Sequence, residues 1–193
     1  MANTPAHRLS RIFVRPLVNT PVTPNHLTYV RILTGIAACV AIGVGARTWE
    51  IVGGFVWILS TLLDRADGEL ARMTGQTSDF GHKLDYYADV FIGALFFLGV
   101  GVGMRNGEYG LWAPLMGLLA CVSVAAINVL AEMIEKKRGD GVKAYESIGI
   151  FDGDDVFFLF APMVWLGWHP YMLLLATVGA PAFALWTLWR YLR

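Results

Sequence analysis

The chain has 193 residues, of which 56% are hydrophobic and 16% charged, and its mean hydropathy is +0.54. That balance lies outside the range of a soluble domain and reads as an integral membrane protein. With 15 basic and 15 acidic residues the formal charge is zero, which excludes a nucleic-acid binder that relies on a large positive face.

Residues 1–193 read as a single membrane domain, with an amphipathic segment over 1–24 and a bundle over 25–193. The first thirty residues hold Arg8, Arg11 and Arg15 but no continuous apolar run, so no secretory signal is expected and the N-terminus is assigned to the cytoplasm. Over residues 5–18, Leu9, Ile12, Phe13 and Leu17 recur at helical spacing with the three arginines on another side. This predicts an interfacial amphipathic helix. A helix this short is marginal without a surface to bind, which leaves a disordered basic tail as the other reading.

Pro21, Pro24 and Asn25 interrupt the chain, and six apolar segments follow, over residues 27–46, 49–63, 86–104, 111–133, 155–168 and 171–191. The predicted fold is all-α, an integral membrane bundle of six transmembrane helices. A crossing needs about 20 residues, so the second segment is expected to continue as a helix into the polar stretch after it. The fifth must begin among polar residues. Six crossings put residues 64–85, residues 134–154 and the C-terminus on the cytoplasmic side. That side then holds thirteen of the 15 basic residues, leaving Arg47 and Arg105 for the other, as the positive-inside rule requires. Glycines within the spans, such as Gly93, Gly99, Gly101 and Gly103, let helices approach closely. Cys39 and Cys121 fall inside predicted spans, where a thiol packs as a small apolar group.

The most informative stretch runs from Asp64 to Asp89. Asp64, Asp67, Gly68, Ala71 and Arg72 stand at i, i+3, i+4, i+7 and i+8 and share one helical face; Gly81, Asp85 and Asp89 share another. A turn through Thr74, Gly75, Thr77 and Ser78 is expected to fold the second of these helices back along the first. Carboxylates beside hydrocarbon are costly unless partnered. Paired acidic faces of this kind hold one or two hard cations, Mg2+ or Mn2+, which favour oxygen ligands. Gly68, Ala71 and Gly81 leave room for a bulky group such as a nucleotide against bare backbone. Arg72 is placed either to hold a phosphate oxygen or to orient an aspartate.

The pattern Asp64-x2-Asp67-Gly68-x2-Ala71-Arg72-x8-Gly81-x3-Asp85-x3-Asp89 resembles, position for position, the signature of the CDP-alcohol phosphotransferases. Thr23-Pro24-Asn25-x2-Thr28 before the first span, the six-span layout and the amphipathic N-terminal helix extend the resemblance over most of the chain. It implies transfer of a phosphoalcohol from a CDP-linked donor to an acceptor hydroxyl, with release of CMP. By the motif match Asp64, Asp67 and Asp85 bind metal, two ions in all, and Asp89 shares a metal and acts as general base. Gly68, Ala71, Arg72 and Gly81 border the CDP donor. A homodimer is implied by the same resemblance.

Outside the motif, Glu132, Glu135, Lys136, Lys137 and Arg138 end the fourth segment and Lys143 follows. Lys137 and Lys143 offer counter-charge to a phosphorylated acceptor, although a topology signal explains the cluster more simply. Asp152, Asp154 and Asp155 precede the fifth segment; capping explains one of them but not three, which leaves an acceptor-side role open. Arg31 either snorkels to the headgroups or points into the cavity. His82 has no metal-spaced partner and reads as interfacial, as do Trp165, Trp168, Trp186 and Trp189.

The favoured function is therefore a phospholipid-assembly enzyme with CDP-diacylglycerol as donor and a polar alcohol or alcohol phosphate as acceptor, its site open to the cytoplasm and to membrane lipid. The same chemistry with a soluble CDP-alcohol is the alternative. A divalent-cation transporter fits poorly, because the aspartates cluster at one end of two helices and no internal repeat is present.

Overall fold

A computed structural model describes residues 5–139 and 156–192, and among them every regular element is helical. Seven α-helices occur in order: α1 (Pro5–Val14), α2 (Pro24–Val44), α3 (Arg47–Thr74), α4 (Asp79–Gly103), α5 (Trp112–Arg138), α6 (Phe157–Trp165) and α7 (His169–Leu192). Four of these, α2, α4, α5 and α7, are long and apolar enough to cross a membrane. Together with their largely apolar exposed surfaces they make the chain an integral membrane protein.

Local chemistry sets the helix ends. Thr23 caps α2: its hydroxyl accepts from the His26 amide at 3.4 Å, and His26 Nδ1 accepts from the Thr23 amide at 3.3 Å, with Pro24 in the first turn. Gly45 ends α2 at φ 75° and Gly75 ends α3 at φ 68°, the left-handed conformation that glycine adopts without a Cβ penalty. Ser78 then caps α4, accepting from the Gly81 amide at 3.0 Å. As expected, the second apolar segment and the acidic motif form one continuous helix. α3 has 28 residues and is thus about 42 Å long.

The packing order departs from expectation. The turn at Gly75 and Ser78 brings Asp85 of α4 back to Asp64 and Asp67 of α3, but α2 packs against both helices and lies between them. Close backbone approach makes this possible: a Cβ on Gly99 of α4 would sit 2.6 Å from the Cys39 carbonyl oxygen of α2, so only glycine fits there. On the other side of α4, a Cβ on Gly101 would come within 2.8 Å of Gly117 Cα on α5. The core at this junction is built from Ala38, Ile42, Trp57, Phe96, Val100 and Phe160. The short helix α6 is stitched to α3, with Trp57 Nε1 donating to the Phe157 carbonyl at 2.9 Å and Arg47 donating to the Val164 carbonyl at 2.9 Å at its C-terminal end.

α1 is helical but shorter than predicted, giving way to a 3-10 turn over Arg15–Leu17. Among its described side chains Ser10 and Val14 are buried, the latter packed on Ala66 and Leu70 of α3, whereas Ile12 and Phe13 are exposed. Val14, outside the apolar stripe read from the sequence, thus seats α1 on the motif helix, and Ile12 and Phe13 of the stripe face outward.

Candidate active site

The site forms where the first turns of α2, the last third of α3 and the first half of α4 meet. Asp64 and Asp67 lie one turn apart on α3, and Asp85 and Asp89 one turn apart on α4. Carboxylate oxygens of Asp64, Asp67 and Asp85 lie within 4.8 Å of one another. Around an octahedral Mg2+ with bonds of about 2.1 Å, opposite ligand oxygens are about 4.2 Å apart. The three carboxylates therefore fit a hard divalent cation with shifts of less than about 1 Å. Asp89 lies outside that trio but joins it through a shared partner on α2.

That partner is Arg31, which is 5% exposed and points inward rather than snorkelling. One of its guanidinium nitrogens lies 2.7 Å from Asp64 Oδ1 and 2.8 Å from Asp85 Oδ1, and the other donates to Asp89 Oδ1. One turn earlier, the buried Thr28 hydroxyl donates to Asp67 Oδ2 at 2.7 Å. Thr28 and Arg31 are three residues apart, so α2 presents both from the face wedged between α3 and α4. The sequence signal was this i, i+3 spacing after the capped Thr23-Pro24-Asn25 turn.

Beside the cluster opens a cavity of about 460 Å3, within the size range of small-molecule sites. Gly68, Ala71, Arg72 and Gly81 all line it, together with Asp67 and Asp85 and with Asn25, Thr28 and His82, which motif reasoning had not placed there. The two glycines differ. A Cβ on Gly68 would meet only the Arg72 guanidinium, at 3.5 Å, so Gly68 keeps the cavity wall open. A Cβ on Gly81 would lie 2.9 Å from Asn25 Oδ1, so Gly81 lets α4 start close against the α2 cap. Asp64 and Asp89 line a different space, a recess of about 20 Å3 on the far side of Arg31, bounded by Gly93 and Phe157.

Glu69 is a site residue that motif reasoning missed. It is 4% exposed, with one carboxylate oxygen 3.2 Å from an Arg72 terminal nitrogen and the other 3.6 Å from Arg11 Nε of α1. Arg72 thus pairs with Glu69 beside the cavity, and α1 is tied electrostatically to the same carboxylate. A charged residue inside the motif of a largely apolar chain was the available signal. Lys137 is not brought to the site; its ammonium donates to the Tyr191 carbonyl at 3.0 Å and lies over the Tyr191 ring, joining the ends of α5 and α7. Asp152, Asp154, Asp155 and Lys143 lie outside the described residues.

The fold and site define an integral membrane protein with an acidic, cation-compatible centre at one end of its helices. The chain matches the CDP-alcohol phosphatidyltransferase family over residues 21–189 and belongs to it; this is a family of phospholipid-biosynthesis phosphotransferases. It is 31% identical over 112 residues to the bifunctional IPC transferase and DIPP synthase of Thermococcus kodakarensis, a match covering 58% of this chain and 25% of that protein. It is 32% identical over 89 residues to the archaetidylinositol phosphate synthase of Pyrococcus horikoshii, covering 46% of each. The matches thus span less than half the length of either curated relative. Among solved structures it resembles the phosphatidylinositol phosphate synthase of Mycobacterium tuberculosis, crystallised with CDP-DAG bound. The TM-score is 0.67 at 18% identity, over 96% of this chain and 90% of that one, which speaks to the fold.

Proposed function

We propose that the chain transfers a phosphatidyl group from CDP-diacylglycerol to the hydroxyl of a polar alcohol phosphate and releases CMP. The observation that carries this reading is the convergence of Asp64, Asp67 and Asp85 beside a 460 Å3 cavity walled by the bare Gly68 backbone. Family membership and the CDP-DAG held by the fold neighbour support the donor. The names of two similar proteins, both inositol-phosphate lipid synthases, support a phosphorylated polyol as acceptor.

In this reading Gly68, Ala71 and Gly81 border the cytidine and pyrophosphate, and Arg72, half exposed at the cavity wall, holds a phosphate oxygen. Asp64, Asp67 and Asp85 would hold Mg2+ or Mn2+, and Asp89 would contribute to a second ion. Metal bound there supplies neutralisation of the pyrophosphate and so a better leaving group. Asp89, whose side chain is partly exposed at the cluster, accepts the proton of the acceptor hydroxyl as its oxygen attacks the phosphorus that carries the lipid. The bond from that phosphorus to the CMP oxygen breaks, and CMP departs with the electron pair. No covalent enzyme intermediate is needed.

The site is assigned to the cytoplasmic side, with six crossings: the four long apolar helices, the stretch 49–63 of α3 and the segment containing α6. Residues 1–193 act as one domain, with α1 at the membrane interface, and the working unit is a homodimer. The test uses purified chain in lipid and measures Mg2+- or Mn2+-dependent CMP release from CDP-diacylglycerol and from a soluble CDP-alcohol such as CDP-glycerol. Acceptors are inositol phosphate, glycerol phosphate and their unphosphorylated alcohols. Release with CDP-diacylglycerol and an alcohol phosphate is expected; release from the soluble donor alone transfers the assignment to that class. No release with any pair overturns it.

A further inference from the structure

We propose that Arg31 is an internal counter-cation that competes with divalent metal for the carboxylate cluster. The inference rests on the metal-binding reading of this site. A single guanidinium nitrogen stands 2.7 Å from Asp64 and 2.8 Å from Asp85, two of the three carboxylates whose oxygens converge within 4.8 Å, while its neighbour bonds Asp89. A cation bridging Asp64 and Asp85 on the side that the guanidinium occupies, at metal–oxygen distances of about 2.1 Å, would displace a nitrogen held at hydrogen-bond distance from both carboxylates. One of the two cations must give way.

The α2 backbone cannot be what yields. A Cβ on Gly35, one turn on, would be 2.6 Å from Ile92 of α4, and the Arg31 carbonyl accepts from Ser60 Oγ of α3 at 3.0 Å. Helix α2 is therefore held on both sides at this level, and the guanidinium itself moves. The 20 Å3 recess behind it holds about one water and no guanidinium. The 460 Å3 cavity, walled by Thr28, Asp67 and Asp85, opens on the other side of the carboxylates that Arg31 contacts. Arg31 thus keeps the aspartates together when metal is absent and lowers their apparent affinity for metal.

The test measures Mn2+ binding to the full-length, donor-free chain in detergent, by the loss of the free-ion electron paramagnetic resonance signal, for the wild type, Arg31→Met and Arg31→Lys. Arg31→Met is expected to bind Mn2+ at least about tenfold more tightly. Arg31→Lys, whose ammonium cannot fork between Asp85 and Asp89, is expected to fall between the two. Far-UV circular dichroism reports whether each variant is folded, and if Arg31→Met is not, Arg31→Lys decides. Affinities equal to or weaker than wild type in the folded variants overturn the proposal while leaving the metal reading intact. Absence of Mn2+ binding by all three proteins overturns both.

Discussion

The Thr28 hydroxyl donates to Asp67 Oδ2 at 2.7 Å, joining the first turns of α2 to the motif helix α3 through two buried side chains. A buried carboxylate that loses such a donor is left with its desolvation penalty. Thr28→Val is expected to destabilise the metal-free protein by about 1–3 kcal/mol, whereas Thr28→Ser retains most of the bond. Thermal denaturation in detergent with and without Mg2+ measures both. An unchanged melting temperature for the valine variant would exclude a structural contribution from this bond.

Asp89 separates binding from chemistry. It lies outside the trio of convergent carboxylates, does not line the cavity assigned to the donor and keeps its side chain partly exposed. Asp89→Asn is expected to lower kcat by at least about 100-fold, the scale of general-base catalysis, with CDP binding reduced far less. Steady-state kinetics and equilibrium CDP binding test this pair of outcomes; normal turnover refutes the assignment of Asp89 as base.

Glu69 links α1 to the cavity wall. Its carboxylate lies 3.2 Å from Arg72 and 3.6 Å from Arg11, so Glu69→Gln weakens the hold on both. We expect KM for the CDP donor to rise several-fold with a smaller change in kcat, because Arg72 is a binding rather than a reacting group in this reading. Arg11→Ala, which leaves the Glu69–Arg72 contact in place, should move KM less. If Glu69→Gln lowers kcat and leaves KM alone, Arg72 does not act through donor binding.

Two glycines of different surroundings give opposite expectations. Gly68→Ala adds a methyl group whose nearest neighbour is the mobile Arg72 end at 3.5 Å, so stability should be retained while the group intrudes on the cavity and weakens CDP binding. Gly99→Ala places a methyl 2.6 Å from the Cys39 carbonyl and forces α2 and α4 apart. A loss of about 1–3 kcal/mol in stability is expected from such overpacking. Measuring melting temperature and CDP affinity for both variants separates cavity wall from helix contact.

Much of the site was legible because helical spacing is a local property. Asp64 and Asp67, and Asp85 and Asp89, are set one turn apart by the backbone alone, and the turn between their helices was legible in Gly75 and Ser78. Arg31 was legible only as an alternative. A lone arginine near the start of an apolar segment has two low-energy solutions, the headgroups or an acidic partner, and the choice depends on residues 33 to 58 positions away. Glu69 was legible only as a charge inside the motif, because its pairing with Arg11 joins another helix, 58 residues before it. The seat of α1 was not legible for a similar reason: Val14, outside the apolar stripe read from the sequence, packs on Ala66 and Leu70, while Ile12 and Phe13 of that stripe are exposed.

Residue spacing, apolar run length and the distribution of basic side chains were enough to define a membrane protein with four carboxylates on two helical faces. These follow from the fixed rise and turn of a helix and from the cost of placing charge in hydrocarbon. Which helix stands between those faces was settled by packing. Close approach at Gly99 and Gly35 seats α2 between α3 and α4, and that contact, made between residues far apart in the chain, brings the Arg31 guanidinium into the carboxylate cluster.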